Sequence, residues 1–441
     1  MFRINLKIAW RNLIKDRQFT LLNVLGLSAG IACALLIFLW VNDELSYDKL
    51  FANDNRLYKL FEQRINSAGD VAYSEESSGR LSDAVKISTP EVEYAAAVAP
   101  PGWFPQNTLS ANNKNIKANG QYAEKDYFNI FSFPLLDGDR NKVLENNNSI
   151  VLSDELAMKL FGTVNNIIGR PVDFNHDTTF FVSGVFKKMP ANSSQQFDFV
   201  LSFDYFRMIK PWVTDWYSIG PLNYVLLKPG ADVNAFKRNV AGVIRKNRED
   251  TSTNVFPMKF SEVYLHNNYN GNVQNGGRIE YVKLFSLLAV FILVIACINF
   301  MNLSTAKAAR RFKEVGIKKV VGAGRRQLIF QFLTESFLLT ALAMLLSIVI
   351  ALLLLPAFNQ ITGKGISLHF TWQMMAAIIG ITVITGFTTG SYPALYVSKF
   401  NPLSVLKGKL HTSAAELLSR KGLVVFQFTL STVLIVAVFI I

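Results

Sequence analysis

Residues 19–41 read FTLLNVLGLSAGIACALLIFLWV, and no charged side chain interrupts them. Crossing about 30 Å of hydrocarbon takes about 20 helical residues, and this stretch is long enough. A buried helix of a soluble domain is rarely uncharged for so long. Residues 284–303, 336–358, 370–397 and 422–441 repeat the pattern. The expected fold class is therefore a membrane protein. It is an α-helical transmembrane bundle of four spans plus the start of a fifth, with a large α+β extracytoplasmic domain between spans 1 and 2.

Working outward from the spans, the charge distribution orients them. The net charge is +13, which by itself is compatible with nucleic-acid binding. Its location excludes that reading. Residues 1–18 hold five Lys/Arg, residues 304–327 hold eight, and residues 398–421 hold five. The short loop at 357–369 holds only Lys364, and residues 42–283 balance 26 Lys/Arg against 28 Asp/Glu. The excess positive charge thus alternates across successive spans, as the positive-inside rule requires, and no folded domain carries it. The expected order is a cytoplasmic helix at 1–18, a first span at 19–41, and a periplasmic domain at 42–283. A second span at 284–303, a cytoplasmic loop at 304–327 and a third span at 328–356 follow. A short outer loop at 357–370, a fourth span at 371–397, a cytoplasmic linker at 398–421 and a fifth span at 422–441 complete it.

Cys33 and Cys297 both fall within spans, so disulfides do not support the inserted domain, which is large enough to bury its own core. His176, His266, His369 and His411 are scattered and point to no metal site. The first apolar run is longer than a signal-peptide core and lacks a small-x-small exit, so it reads as an uncleaved anchor. Gly30-Ile31-Ala32-Cys33 resembles a lipoprotein cleavage site only faintly, because the apolar run continues past it to Val41.

Before the first span, Phe2, Leu6, Trp10 and Ile14 form one row at spacing four, and Arg3, Lys7, Arg11 and Lys15 form the next. Such a helix lies in the membrane interface, with its basic face toward anionic head groups. The expected interface residues are Arg3, Lys7, Trp10, Arg11 and Lys15. In the inserted domain, residues 149–152 (SIVL) read as a buried strand. Ser153 then N-caps a helix ended by Gly162, and 179–187 reads as a second strand. Residues 232–245 read as one helix. Asn- and Ser-rich runs at 146–149 and 267–277 read as turns, and the domain is expected in two lobes.

No phosphate-binding G-x-x-x-x-G-K-[ST], G-x-S-x-G, H-E-x-x-H or C-x-x-C pattern occurs, so covalent chemistry on this chain is not expected. The informative stretch is 306–327, AKAARRFKEVGIKKVVGAGRRQ. Val315, Ile317, Val320 and Val321 punctuate its cations, and Gly322-Ala323-Gly324 marks a sharp turn. A plain charged flank needs no apolar punctuation, whereas a surface helix that docks into a partner does. Both readings stay open on the residues alone. Glu335, at the start of the third span, reads either as a solvated carboxylate or as the partner of a basic loop residue such as Arg325 or Arg326. Asn299 and Asn302 suit hydrogen bonds between helices, and Gly26 and Gly30 form a G-x-x-x-G suited to close approach.

The run NFMNLSTA at 299–306, RFKEVGIKKVVGA at 311–323 and QFLTES at 331–336 resembles the FtsX-type permease domain of MacB-like and LolCE-like ABC transporters. Tyr392-Pro393-Ala394 and NPLSVL at 401–406 resemble the stretch after that family's fourth span. SIVLS at 149–153 and SGVF at 183–186 resemble its periplasmic core domain. The resemblance implies the bacterial inner membrane and a permease without enzymatic activity of its own. It implies no cofactor on this chain, with ATP and Mg on a partner ATPase subunit of LolD or MacB type. It implies coupling through Arg311, Lys313, Glu314, Val315, Gly316, Ile317, Lys318, Lys319, Gly322 and Ala323. Further implied partners are a second permease half or a second copy, a periplasmic adaptor or lipoprotein, and the bilayer. The implied function is export or extrusion of a lipoprotein, antibiotic or peptide by movement of the periplasmic domain. The alternative is an FtsX-like regulator of envelope enzymes that transports nothing. Related long permeases contain two such halves in tandem, and the fifth apolar stretch is expected to open a second half.

Overall fold

The computed structural model describes residues 2–65, 70–249, 252–270, 273–274, 276–310, 312–398 and 414–440. The chain forms two compact units, Met1–Asp43 with Val282–Ile441 and Glu44–Tyr281.

Among the described residues, four helices are long and apolar enough to cross a membrane: Arg17–Ser46, Arg278–Lys307, Arg325–Thr362 and Trp372–Leu395. The helices outrun the apolar stretches read from the sequence because backbone hydrogen bonding continues into the charged flanks. In the last helix, Ala414–Ile440, the apolar run among the described residues is Val424–Val433, shorter than a crossing.

The spans pack through small residues, which let backbones approach where lipid offers no hydrophobic drive for association. A Cβ on Gly30 would lie 2.5 Å from the Ala296 Cβ, and one on Gly26 would lie 3.5 Å from Asn299 Nδ2. The G-x-x-x-G of the first span therefore faces the second. A Cβ on Gly386 would meet the Phe337 ring at 2.7 Å, and one on Gly390 would meet Ser336 at 2.9 Å. The N-terminal helix Phe2–Lys15 buries a face that the row reading passed over. Ala9 and Leu13 are buried, while Leu6, Trp10 and Ile14 are exposed.

In the inserted domain thirteen strands build one mixed sheet. They are β1 (Leu57–Ile65), β2 (Val71–Ser74), β3 (Val92–Ala99), β4 (Asn107–Ala111), β5 (Lys114–Ala118), β6 (Gly120–Ala123), β7 (Leu135–Asp137), β8 (Ser149–Ser153), β9 (Pro171–Phe174), β10 (Thr178–Phe186), β11 (Phe199–Ser202), β12 (Leu222–Leu227) and β13 (Thr253–Lys259). Their order is β13-β1-β12-β3-β6-β11-β8-β10-β9-β4-β5, with β2 on β1 and β7 on β10. Pairs β8/β10 and β6/β11 are parallel, and the others are antiparallel.

Strand alternation distributes the core. In β8, Ile150 and Leu152 join a cluster with Leu156, Leu160, Phe180 and Val182, while Val151 points to the opposite cluster of Tyr127, Phe128, Phe131 and Phe133. In β12, Tyr224 and Leu226 join that aromatic cluster, while Val225 and Leu227 meet Phe236, Val240 and Ile244. In place of the two lobes expected from sequence, the domain is one compact unit with three core clusters on one continuous sheet.

Local chemistry explains the elements. Ser153 Oγ accepts from the Leu156 N–H at 3.3 Å, and Gly162 ends that helix at φ +73°. Asn112 and Asn113, at φ +50° and +57°, close the β4–β5 hairpin. The helix expected over 232–245 is broken at Gly242 into Val233–Ala241 and Val243–Arg248. The loop expected at 267–277 contains a short ladder, Tyr269–Asn270 with Val273–Gln274.

Candidate functional site

The loop after the second span folds as a helix, Phe312–Val320, joined by a tight turn to the third-span helix Arg325–Thr362. The turn follows from glycine. Gly322 sits at φ +100°, its N–H donates to the Lys319 carbonyl at 3.1 Å, and the Ala323 N–H donates to the Lys318 carbonyl at 2.9 Å. These two bonds satisfy the last carbonyls of the helix, and a side chain at Gly322 would strain that conformation.

The short helix has a buried face and an exposed one. Val315 is buried among Leu328, Phe332 and Ala394, and Gly316 is buried beside it. Ile317, Val320 and Val321 are 57%, 65% and 83% exposed. Lys318 Nζ is held by Glu314 at 2.8 Å and by the Gln331 side chain at 3.4 Å, so it braces the helix against the third span. Burial and the adjacent Arg325 guanidinium push Lys319 below the usual ammonium range. Arg311 lies outside the described residues, as do the side chains of Lys313 and Arg3.

Behind the loop lies an ion cluster. Lys307 Nζ is 3.1 Å from Asp16 and 3.5 Å from Glu335, and it sits 4.5 Å from the centre of the Phe19 ring. Glu335 is buried, which corrects the solvated-carboxylate reading, and Lys307 takes the part suggested for Arg325 or Arg326. Three spans meet on this one lysine: the first through Phe19, with Asp16 in the turn just before it, the second through Lys307, and the third through Glu335. The signal for it was in the sequence, a carboxylate just inside one span and a lysine just past the end of another. Nothing in the sequence assigned the partner.

A cavity of about 670 Å³ lies next to this cluster, lined by Asn12, Lys15, Asp16, Arg17, Phe19, Ala306, Lys307 and Glu314 among others. It brings the end of the N-terminal helix beside the loop. On that helix Lys7, Trp10, Arg11 and Lys15 are exposed, Trp10 by half. Among the described residues no cluster of three or more His, Cys, Asp or Glu is placed to hold a metal.

The family model of the MacB-like periplasmic core domain matches residues 20–243, and that of the FtsX-like permease C-terminal domain matches residues 286–402. The chain belongs to the MacB/FtsX-like family of ABC transporter permeases. Among its relatives, the macrolide export ATP-binding/permease protein MacB of Salmonella choleraesuis is 24% identical over 439 residues, covering 92% of this chain and 60% of that protein. An uncharacterized ABC transporter permease of Bacillus subtilis, YknZ, is 23% identical over 326 residues, covering 68% of this chain and 75% of that protein. A solved permease domain from Porphyromonas gingivalis aligns with 48% of this chain and 93% of its own, at 21% identity and a TM-score of 0.40. The chain spans 19% to 60% of the length of the MacB relatives it matches. The permease match covers the second to fourth spans and the loop helix, and the core-domain match covers most of the inserted sheet.

Proposed function

We propose that this chain is the permease subunit of an ABC transporter in which a separate ATPase drives movement of the inserted domain through the loop helix Phe312–Val320. In this reading the N-terminus and the loop face the cytoplasm, and the inserted domain lies outside the inner membrane. Two copies, or this chain and a second permease half, form the unit. Its cargo class is a lipoprotein, an antibiotic or a peptide. ATP and Mg stay on the partner, with Arg311, Lys313, Lys318 and Lys319 supplying positive charge around the contact.

The observation that carries this reading is the split of one short helix into an anchored face and a bare one. Val315 is locked into the third and fourth spans, while Ile317, Val320 and Val321 lie exposed among cations. A helix exposing aliphatic side chains in a water-facing loop suits a partner groove. Because Val315 and Lys318 grip the spans, a push on the outer face reaches the bundle.

The test is a mild-detergent pull-down of the full chain from its native membrane, followed by ATPase assay of the recovered complex. Wild type should bring down a nucleotide-binding ATPase. Ile317→Asp and Val321→Asp, which touch no core cluster, should weaken recovery by about tenfold or more, the scale of an interface hot spot, with helix content unchanged. Undiminished recovery and activity in both variants would remove the loop helix as the docking element. Absence of any ATPase from wild type would turn the reading toward a membrane regulator.

A further inference from the structure

We propose that the inserted domain holds, beside Lys59, a binding site for a small organic carboxylate. The site is a cavity of about 280 Å³ within the domain, close to the lower end of ligand-pocket sizes. It stands on different residues from the coupling loop and does not depend on that loop's role.

Three features of its lining point to an acceptor ligand. Lys59, on β1, is 5% exposed, and its ammonium approaches the rings of Phe61 and Tyr224 at 5.5 and 5.9 Å. Its counter-ion is Glu75, 2.6 Å away, whose side chain is 49% exposed. Gln121, on β6, is 2% exposed, and its amide nitrogen makes no hydrogen bond of full geometry, with the Tyr127 hydroxyl the group it faces. A buried unpaired donor is costly, and a buried lysine whose partner stands half in water holds its charge by a contact that is easily exchanged.

An incoming carboxylate resolves both. It replaces Glu75 on Lys59, with the released glutamate turning to solvent, and its second oxygen accepts from the Gln121 amide. Charge-assisted bonds of this kind are stronger than neutral ones. The remaining charged group in the cavity is Asp48. It accepts from Ser193 Oγ at 3.2 Å and from the Ser194 N–H at 2.7 Å. Burial pushes its carboxyl above the usual range, while its hydrogen bonds from Ser193 and Ser194 favour the charged form. Tyr224, Phe260 and Pro101 supply the apolar wall for the body of the ligand. The carboxylate has two natural sources, a free organic acid or the C-terminus of a peptide.

The experiment is titration calorimetry on the full chain in an uncharged detergent. The probes are hippurate, its neutral amide hippuramide, benzoate and a short apolar tripeptide. Hippurate should bind one per chain, and hippuramide should bind about tenfold more weakly or not at all, the scale of a lost charge-assisted bond. Lys59→Met should abolish binding, and Gln121→Leu should weaken it. Because Lys59→Met risks the fold, Glu75→Gln is the sharper variant. It removes a half-exposed competitor and should tighten hippurate several-fold. Binding of the tripeptide without benzoate names a peptide terminus as the ligand, and the reverse names a free acid. No saturable binding of any carboxylate to wild type and Glu75→Gln, or equal binding of hippurate and hippuramide, would overturn the proposal.

Discussion

The inserted domain and the membrane helices use the same apolar residues in opposite ways. In the domain, Phe128, Phe131, Phe133 and Phe186 are fully enclosed, and Phe133 meets Phe128 and Phe186 edge to face and Phe131 at a tilt. In the membrane unit Phe330, Leu353 and Ile361 stand 65%, 75% and 85% exposed, while the helix contacts fall to Gly30, Ala296, Gly386 and Gly390. The polar residues invert too. Thr340, Ser347, Thr385 and Thr389 are buried among the spans, where lipid cannot hydrate them. In water, burying a phenylalanine drives assembly. In lipid that drive is absent, so close approach and hydrogen bonding take its place.

Breaking the domain's most enclosed ion pair should have the largest effect. Arg248 and Glu62 are 4% and 0% exposed and meet through two bonds of 2.8 and 3.0 Å. Arg248→Met leaves the buried Glu62 carboxylate with only the half-exposed Arg64, 3.2 Å away, and loss of one partner in such a pair costs about 3–5 kcal/mol. Urea unfolding followed by tryptophan fluorescence checks this, and a loss below about 1 kcal/mol would mean that the pair is hydrated. In the membrane unit the matching stroke is steric. Gly30→Leu drives a side chain into Ala296 and should destabilise the bundle by about 1–3 kcal/mol. Leu22→Ala, at a position 62% exposed, should be almost silent. Thermal unfolding of the purified chain separates the two, and equal effects would dissolve the contrast between the two regions. Next in size is Ser153→Ala, which removes an N-cap and should cost about 1 kcal/mol by the same urea measurement.

The smallest expected effect is a change of slope. Glu124 is enclosed in the domain, accepts from the Ala97 N–H at 2.7 Å and pairs with Arg207. Burial outweighs the arginine and pushes its carboxyl up to about 7. A folded-state pKa above the ordinary 4.5 means that the native state holds the proton more tightly than the unfolded chain. That contribution is complete below about 4.5 and is lost as pH rises through about 7. Glu124→Gln should therefore flatten the dependence of domain stability on pH across this window. An unchanged slope would place the carboxylate in its ionised form throughout.

Much of the architecture was legible in the chain itself. Residues 19–41 and 284–303 announce spans because a helix must satisfy its own backbone in lipid, and that demand is local. Ser153 and Gly162 announce a helix start and stop for the same reason, since caps act within one turn. The reading failed where one residue broke a pattern, as Gly242 does in the helix expected over 232–245. It also fell short where the deciding contact was distant. The amphipathic rows of the N-terminal helix were visible, but the buried face at Ala9 and Leu13 depended on packing.

The sequence by itself determined the number and order of the main spans, the place of the inserted domain, and a cationic loop with apolar punctuation. Hydropathy, charge alternation and capping all act over a few residues. Only the tertiary structure decided which lysine meets Glu335, which helix receives Gly30, and how Val315 and Ile317 divide between anchor and exposed face. It alone drew Lys59 of β1 and Gln121 of β6 into one cavity. These are pairings between residues far apart along the chain, chosen by packing geometry and by the cost of leaving a buried charge or donor unpaired.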